Sequence, residues 1–343
     1  MPLSTAGCGV HSASILDRDG SVIAHANVLV SVEWTRVLDD VSTAHAIINP
    51  DGDCCAQLGR VRSWRHKLVI ARDGVTVWEG PIINPEWSAG QFEVFASDVL
   101  VWLDRRVPHQ SVNFDDADLA DIAAWLIEDG FAPDDPGHQV EILGPAGVRG
   151  GRAYEEDDGQ TGDHLRDLAD TGLDYTAVGS TIALMPEDWE ASVGTLTDVD
   201  FPEGLVVAED GSQLATRVIV HGDQDSGVKG VSGGVDDYYG LLEVSIEQTS
   251  VKTQQSADAA ARSRRAANYP VPVFLSSEEV TLSPEAAVDV AKLVPGWCVD
   301  VATEATCRSL TQRLKVTGLK VTEDGDGESV QVVLAPITSQ VED

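Results

Sequence analysis

The stretch VIARDGVTVWEGPI, from Val69 to Ile82, contains the strongest local structure signal in the chain. Apolar and polar residues alternate before and after Arg72-Asp73-Gly74, and an Asp-Gly pair between two alternating runs predicts a tight β-hairpin. Gly80 and Pro81 follow the second run and predict that its strand ends there. The stretch therefore predicts a β-rich domain, with the bulky Trp78 close to the end of its second strand.

Residues 1–110 as a whole predict a first small β-barrel or sandwich domain. Between residues 21 and 105, several short alternating runs are separated by turn residues, a pattern typical of such domains. The first 20 residues or so are expected to be extended.

Residues 111–205 predict a compact α+β domain. Apolar residues recur at helical spacing from Leu119 to Leu126, and Gly130 is expected to cap the end of that helix. A hairpin that turns at Gly179-Ser180 follows. This change of period marks a separate domain.

Residues 206–343 predict a second small β-barrel domain, with a glycine-rich loop and an alanine-rich helix inserted at 222–275. The last hairpin, GLKVTEDGDGESVQVVLAPI, runs from Gly318 to Ile337. Like the first hairpin, it has two alternating strands around an acidic Asp-Gly turn and ends with Pro-Ile. The likeness indicates duplication of one barrel-like unit, and ordinary similarity between any two hairpins is the alternative. The predicted fold class is thus mainly β, with two related β-barrel or sandwich domains around an α+β insert.

The chain is strongly acidic, with 57 Asp and Glu against 23 Lys and Arg and a net charge of −34. Residues 111–205 alone carry 23 acids and 3 bases. Such a chain is not expected to bind nucleic acid by neutralising phosphates, whereas an acidic lining would let a polyanion slide past without sticking. The sequence has no run of about 18 apolar residues, so we expect no membrane-spanning helix.

Motifs that carry chemistry give no support for an enzyme. Gly230-Val231-Ser232-Gly233-Gly234 matches the G-x-S-x-G nucleophile elbow, but it lies in a glycine-rich run without an adjacent helix. The five cysteines form no CxxC pair, and no HExxH or phosphate-binding loop occurs. We therefore expect no catalytic residue, no metal site and no cofactor.

Tryptophan is concentrated in the first domain, where five of the eight lie within residues 34–102. This density is typical of a core or a subunit interface, in which Trp and Arg are favoured, and a carbohydrate-binding platform is the alternative. The candidate core or assembly residues are Trp34, Trp64, Arg72, Asp73, Trp78, Pro81 and Trp297.

The order of these segments resembles a known family. VEWTRVLDDVSTAHAIINP and RHKLVIARDGVTVWEGPI are similar to the N-terminal barrel of tail-tip hub proteins, the minor tail proteins of long-tailed bacteriophages. LADIAAWLIEDG and GDHLRDLADTGLDYTAVGSTIALMP are similar to the α+β insert of that family. LVPGWCVDV and RLKVTGLKVTEDGDGESVQVVLAP are similar to its second barrel. The resemblance covers Val22 to Pro336.

The resemblance implies a structural virion protein at the tail tip, made in the host cytoplasm. Three copies would form a homotrimeric baseplate hub that joins the sixfold tail tube to the threefold tip and lets genome DNA pass during ejection. The implied partners are the other copies, distal tail and tail-tube proteins, the tape measure protein, and other tip or receptor-binding proteins. A carbohydrate-binding or cell-wall-degrading tail protein and a distal tail ring protein are the alternatives.

Overall fold

The computed structural model describes residues 5–26, 29–50, 52–209, 211–222, 227–248, 253–269, 273–275 and 279–337, with the backbone alone at 52–54, 213, 266–267 and 273–275. These residues group into two compact units. The first unit contains the described residues of Met1–Gly204, Ser277–Ala305 and Thr311–Thr338. The second contains those of Leu205–Ser276 and Thr306–Leu310. The finer division into three domains, predicted from the sequence, stays a prediction.

The N-terminal part of the first unit is built from strands with a strict two-residue period. The strands are β1 (His11–Leu16), β2 (Val22–His25), β3 (Leu29–Val37), β4 (Thr43–Ile48), β5 (Lys67–Arg72), β6 (Val75–Ser88) and β7 (Gln91–Ser97), with a short helix α1 (Gly52–Leu58) between β4 and β5. In β4, for example, Ala44, Ala46 and Ile48 are buried while the residues between them are not. Alternation of this kind places one face of each strand in the core. A 3₁₀ helix, Val99–Arg105, follows β7.

The middle segment combines helices with small sheets. Its elements are β8 (Val112–Asp118), α2 (Leu119–Phe131), β9 (Gln139–Ile142), β10 (Arg149–Tyr154), α3 (Thr161–Ala169), β11 (Leu173–Val178), β12 (Thr181–Pro186), β13 (Ser192–Thr197) and a 3₁₀ helix at Asp198–Asp200. Strands β8 and β10 pair, and β9, β12 and β11 form a three-stranded sheet. The apolar face of α2 packs with Leu165 and Leu168 of α3 in one buried cluster. The predicted helix and the predicted hairpin at Gly179-Ser180 are confirmed.

Helix α2 begins where the apolar pattern predicts but ends differently from the prediction. The side chain of Asp118 caps its first turn, accepting a hydrogen bond from the Ala120 amide at 3.0 Å. Gly130 lies inside α2 and does not cap it, so this prediction was wrong. A β-carbon at Gly130 would approach Leu103 to 3.2 Å and Thr161 to 3.5 Å. The glycine is therefore explained by close packing rather than by a turn.

The C-terminal part contributes to both units. Its elements are β14 (Val207–Glu209), β15 (Arg217–His221), β16 (Lys229–Gly233), β17 (Glu243–Glu247), α4 (Gln254–Asn268), β18 (Val273–Leu275), β19 (Glu279–Thr281), β20 (Cys298–Thr303), β21 (Leu310–Asp324) and β22 (Gly327–Pro336), with 3₁₀ turns at Gly211–Gln213 and Val290–Lys292. The second unit holds β14 to β18 and α4, and its small core is formed by Ala215, Val218, Val220 and Ala261. Strands β19 to β22 belong to the first unit, except that Leu310, the first residue of β21, is grouped with the second.

One twelve-stranded sheet runs through the first unit. Its order is β13-β20-β21-β3-β4-β7-β6-β5-β1-β2, with β22 on β21 and β19 on β22. Strands make up 46% of the structure and helices 18%, which confirms the mainly β class. Closed barrels are absent from the described residues, because β21 pairs with β3 and continues the C-terminal ladder into the N-terminal strands. The expected barrels are thus parts of one open sheet.

Candidate assembly site

The first hairpin is closed by a two-residue turn, as predicted. Strand β5 ends at Arg72 and β6 begins at Val75, so Asp73 and Gly74 form the turn. Their φ angles are +51° and +80°. Positive φ at both central positions is what a type I′ hairpin turn requires. The amide of Val10 donates to Asp73 Oδ1 at 3.0 Å, which fixes the turn against the segment before β1.

Strand β6 does not end at Gly80-Pro81, so that prediction was wrong. The strand continues to Ser88, pairing first with β5 and then with β7. A β-carbon at Gly80 would lie 1.9 Å from the carbonyl oxygen of Ser97. Glycine is therefore needed where β6 crosses closely over the end of β7, and Pro81 is buried at the same crossing.

A buried ion pair joins the two hairpins. Arg72, the last residue of β5, donates from Nε to Glu328 Oε1 at 2.6 Å and from Nη2 to Glu328 Oε2 at 2.7 Å. The exposed fractions of these side chains are 4% and 0%. Glu328 is the second residue of β22, directly after the turn of the last hairpin. The two sequence-related hairpins thus contact each other through a bidentate pair, the strongest form of Arg–carboxylate contact.

Histidine and tryptophan extend this pair into a buried network. His11 Nδ1 lies 2.6 Å from Glu323 Oε2, and the indole Nε1 of Trp34 donates to His11 Nε2 at 3.1 Å. The Gly9 amide donates to Glu328 Oε2 at 2.8 Å. A β-carbon at Gly9 would come within 2.2 Å of the guanidinium of Arg72. The network thus ties β1, β3 and both hairpins together.

The seven candidate residues lie in different environments. Trp34 and Trp78 are 0% and 3% exposed, Arg72 and Pro81 are also buried, and Asp73 is exposed at the turn. Trp297 is half-buried and meets Trp189 edge to face, with ring centroids 6.5 Å apart. Their part in assembly stays a prediction. Trp78 is too buried to serve as a sugar-binding platform.

The structure gathers basic residues that the sequence analysis did not single out. Trp64, Pro81 and Trp102 line a pocket together with several cations. We call the cations in and beside this pocket the basic patch: Arg18, Arg60, Arg62, Arg65, Lys67, Arg105 and Arg106. The run RVRSWRHK, residues 60–67, was the available signal, because four of its eight residues are basic in an acidic chain.

A second feature missed at the sequence level is an exposed aromatic residue on the outer face of the large sheet. Phe95 in β7 is 37% exposed and stacks on His45 of β4, with centroids 4.3 Å apart. Trp87 in β6 is 51% exposed, but it lies on the opposite face, where its ring packs on Phe92 with centroids 5.5 Å apart. In QFEVFAS the residues Phe92 and Val94 point inward, so the outward position of Phe95 could have been read from the two-residue period. Exposed aromatic residues of this kind are typical of contact surfaces.

Two shielded carboxyl groups lie at the loop between β3 and β4, and one of them, Asp39, contacts the middle segment. Burial raises the pKa of Asp39 to about 7, although its Oδ1 accepts a hydrogen bond from the Tyr175 amide at 2.8 Å. Burial also raises the pKa of Asp98 to about 7, although its oxygens accept from the Ser42 and Leu100 amides.

The same junction contains a buried ion pair. The Lys315 ammonium on β21 pairs with Asp174 on β11, and both side chains are 7% exposed. Burial raises the pKa of Asp174 and the hydrogen bond from Lys315 opposes that rise. Asp39 and the Lys315–Asp174 pair attach the middle segment to the sheet, whereas Asp98 joins the end of β7 to the loop between β3 and β4.

The G-x-S-x-G match is part of a strand. Residues Lys229–Gly233 form β16, which pairs with β15, so Ser232 is not presented on a strand-to-helix turn. A β-carbon at Gly230 would lie 2.0 Å from the Ala257 carbonyl oxygen of α4, which explains that glycine by packing.

Within the described ranges no group of three or more His, Cys, Asp or Glu could hold a metal ion. The helices described here include none with the length and hydropathy needed to cross a membrane.

Comparison with known proteins gives fold neighbours only. No protein-family model matches the sequence, and no curated protein is a sequence match. Among solved structures, the chain is similar to a 43 kDa tail protein of prophage MuSo2 from Shewanella oneidensis, with 14% identity, a TM-score of 0.59 and coverage of 94% of this chain and 97% of that one. A tail protein from Neisseria meningitidis MC58 matches with 15% identity, a TM-score of 0.60 and coverage of 95% and 96%.

A third match is a component of the Escherichia coli type VI secretion system that is described as structurally similar to the T4 tail proteins gp27 and gp5. It has 11% identity and a TM-score of 0.54, and the match covers 91% of this chain and 74% of that one. Identities this low establish the fold and nothing finer. The chain therefore has, over nearly its whole length, the fold of these prophage tail and secretion-system proteins.

Proposed function

We propose that this protein is the hub of a bacteriophage tail tip, a structural virion protein that assembles as a homotrimer. The observation that carries the proposal is the fold likeness to two prophage tail proteins, which covers at least 94% of this chain and 96% of each of theirs. A likeness of this extent leaves little room for an additional catalytic domain within the chain. The protein would act through its surfaces and not through chemistry of its own.

The organisation of the large sheet supports a ring-building role. Two hairpins of similar sequence are parts of one sheet and are linked by the Arg72–Glu328 pair. If they descend from one duplicated unit, three copies of the chain would present six similar elements around an axis. Such a particle could contact a sixfold tail tube on one side and a threefold tip on the other.

The charge of the chain supports passage of DNA through the ring. A net charge of −34 gives a surface that repels phosphates, so a lumen lined by it would not retain the genome during ejection. The distal tail or tube proteins, the tape measure protein and other tip proteins would be the contacts in the virion. The acidic middle segment, residues 111–205, is our candidate for the surface nearest the lumen or solvent.

Mass and symmetry of the purified full-length chain test this proposal. We expect light scattering coupled to size-exclusion chromatography to give three times the chain mass of 36.5 kDa. Negative-stain images should then show a threefold ring, and antibodies against the chain should label the tail tip. A sixfold ring would instead support a distal tail ring protein. A monomer under all salt conditions, or absence from purified tails, would overturn the proposal.

A further inference from the structure

The basic patch is unusual in a chain of this charge. Residues 1–110 contain nine Lys and Arg, and the two outside the patch, Arg36 and Arg72, are buried. All the basic side chains that this part of the chain leaves accessible therefore belong to the basic patch. The patch is a cationic feature of a strongly acidic chain, and α4 in the second unit carries another group of arginines, Arg262, Arg264 and Arg265.

Part of the patch is neutralised within the chain. Arg65 pairs with Asp17 at 2.8 Å and Lys67 with Glu79 at 3.1 Å. Asp134 pairs with both Arg18 and Arg106. The remaining three cations, Arg60, Arg62 and Arg105, have no carboxylate within 4.0 Å in the described part of the chain.

The three unpaired cations are held near the pocket. The guanidinium carbon of Arg105 lies 5.5 Å from the ring centre of Trp64. The Arg62 amide donates to His66 Nδ1 at 2.9 Å, and its guanidinium donates to the carbonyls of Gly59 and Val61, which places Arg62 in the loop beside the pocket. Burial lowers the pKa of His66, and the charges of Arg65, Arg62 and Arg60 add to this, whereas Asp17 opposes it.

The loop that carries the patch is rigid. Trp64 has φ +62°, a left-handed conformation that is costly for a bulky residue. It is held there because its amide donates to the Ile82 carbonyl at 2.8 Å and the Ile82 amide donates to the His66 carbonyl at 2.9 Å. The strained loop is thus fastened to β6, and the cations need little ordering when a partner binds.

The partner is acidic rather than a sugar. The face of Trp64 is approached by Arg105, and the guanidinium carbon of Arg106 lies 5.9 Å from the ring centre of Trp102. Guanidinium groups thus lie over the indole faces on which a sugar would stack. The unpaired guanidinium of Arg105 beside the Trp64 ring offers positive charge next to an apolar surface, which fits a carboxylate side chain of a protein partner.

The chain itself supplies such a surface. Glu155, Glu156, Asp157 and Asp158 form an exposed turn between β10 and α3, which we call the acidic turn. Among the described residues no Lys, Arg or His lies within 4.0 Å of any of these four carboxylates. Four consecutive acids without a counter-ion repel one another, so a cationic partner would stabilise them.

We propose that the basic patch of one subunit binds the acidic turn of the neighbouring copy. The inference rests on the proposed homotrimer, and it assigns the contact that closes the ring. A head-to-tail ring requires two different, complementary patches on every subunit. The basic patch and the acidic turn are two such patches, and the turn adjoins one end of the patch in the same chain, since the Asp157 amide donates to the Pro108 carbonyl at 2.9 Å. Because both are exposed, the contact should weaken as salt shortens the range of the charges, to about 8 Å at physiological ionic strength.

Zero-length cross-linking tests which residues meet. A carbodiimide joins Lys to carboxylates in contact, and Lys67 is the lysine of the basic patch. In assemblies mixed from ¹⁵N-labelled and unlabelled chains, we expect Lys67 to be linked to the acidic turn of a differently labelled chain. The Lys67–Glu79 pair within one chain is the internal control for the reaction.

Charge reversal tests whether the contact drives assembly. We expect Arg60→Glu/Arg105→Glu and Glu156→Lys/Asp158→Lys each to weaken assembly by at least about tenfold, because like charges would then face each other. The combined four-residue variant should regain most of it, which also shows that the variants fold. Arg262→Glu/Arg264→Glu, on exposed positions of α4, makes the same change of charge elsewhere and should assemble as the wild type does.

The results separate this inference from the proposed function. A salt-stable trimer that forms equally well with reversed charges and gives no mixed-label link from Lys67 would overturn the inference and leave the hub proposal intact. A wild-type chain that stays monomeric at every salt concentration would overturn the hub proposal itself.

Discussion

The two junctions that hold the first unit together treat buried charge differently. Where the hairpins meet, Glu328 is completely buried and receives two hydrogen bonds from Arg72. At and beside the contact between the middle segment and the sheet, Asp39 and Asp98 accept hydrogen bonds from backbone amides instead. The guanidinium of Arg72 compensates the Glu328 carboxylate with a full opposite charge, whereas only the partial charges of backbone amides compensate Asp39 and Asp98.

This difference decides how each junction responds to change. An ion pair keeps both members charged, so the damage comes when one member is removed and the other stays buried. Amide donors compensate a carboxylate less completely, and burial then raises its pKa into the neutral range. The hairpin junction should therefore be sensitive mainly to mutation, whereas the middle junction, which also contains the Lys315–Asp174 pair, should be sensitive to both mutation and pH. All eight Trp residues lie in the first unit, so Trp fluorescence during unfolding reports on these junctions.

Removal of Arg72 should have the largest effect. Arg72→Met leaves the Glu328 carboxylate buried without its cation, and we expect the free energy of unfolding to fall by about 4 kcal/mol. Denaturant unfolding monitored by Trp fluorescence measures the change. The matched control is Lys320→Met, which removes an exposed pair with Glu33 at 3.0 Å and should cost less than about 1 kcal/mol. Equal losses in the two variants would contradict the assigned role of the buried pair.

Removal of Lys315 should cost less than removal of Arg72. Lys315→Met deprives Asp174 of its cation, but Asp174 can take up a proton, because burial already raises its pKa. We expect a loss of about 3 kcal/mol near neutral pH that shrinks as the pH falls. Unfolding measured at several pH values between 5 and 8 tests both parts. A loss that is independent of pH would show that Asp174 does not become protonated.

The middle junction should make stability depend on pH. Asp39 and Asp98 hold protons up to about pH 7 when folded, whereas in the unfolded chain they lose them near the ordinary value of 3.8. Folding therefore takes up protons between these values, and each group lowers stability as the pH rises, by at most about 1.4 kcal/mol per pH unit.

The variant Asp39→Asn isolates one of these contributions. Asn keeps an acceptor for the Tyr175 amide and tolerates the φ of +60° at this position, but it does not titrate. We expect its stability relative to the wild type to increase by about 2 kcal/mol between pH 5 and 7. The exposed Asp115→Asn should follow the wild type throughout. A parallel pH profile for Asp39→Asn would refute a raised pKa at Asp39.

Local sequence signals correctly predicted those structural features that depend only on residues adjacent in the chain. The Asp73-Gly74 turn needs only its own φ angles and two alternating strands, and it forms as expected. The Arg72–Glu328 pair joins residues 256 positions apart and depends on the order of strands in the sheet, which no local pattern encodes. Gly80-Pro81 was misinterpreted for the same reason, because the glycine is needed for contact with Ser97 rather than for a turn.

The basic patch is a different case. Four of its cations are consecutive or nearly so in residues 60–67 and were visible in the sequence. Arg18, Arg105 and Arg106 join them only because β1 and the 3₁₀ helix after β7 lie beside the same loop. The basic run at residues 60–67 thus indicated where the basic patch lies. The remaining cations and the aromatic walls of the pocket are brought there by the fold.

The two hairpin turns provide the smallest and most local comparison. Gly74 has φ +80°, a conformation that costs an L-residue about 1 kcal/mol, so Gly74→Ala should lower the free energy of unfolding by about that amount. Gly325, in the turn of the last hairpin, has no such positive φ and has open space around its α-carbon. Gly325→Ala should therefore leave stability unchanged or raise it slightly, since it restricts the unfolded chain. If both variants lost the same stability, the two hairpins would share a turn geometry, and the sequence likeness between them would extend further than their backbones do.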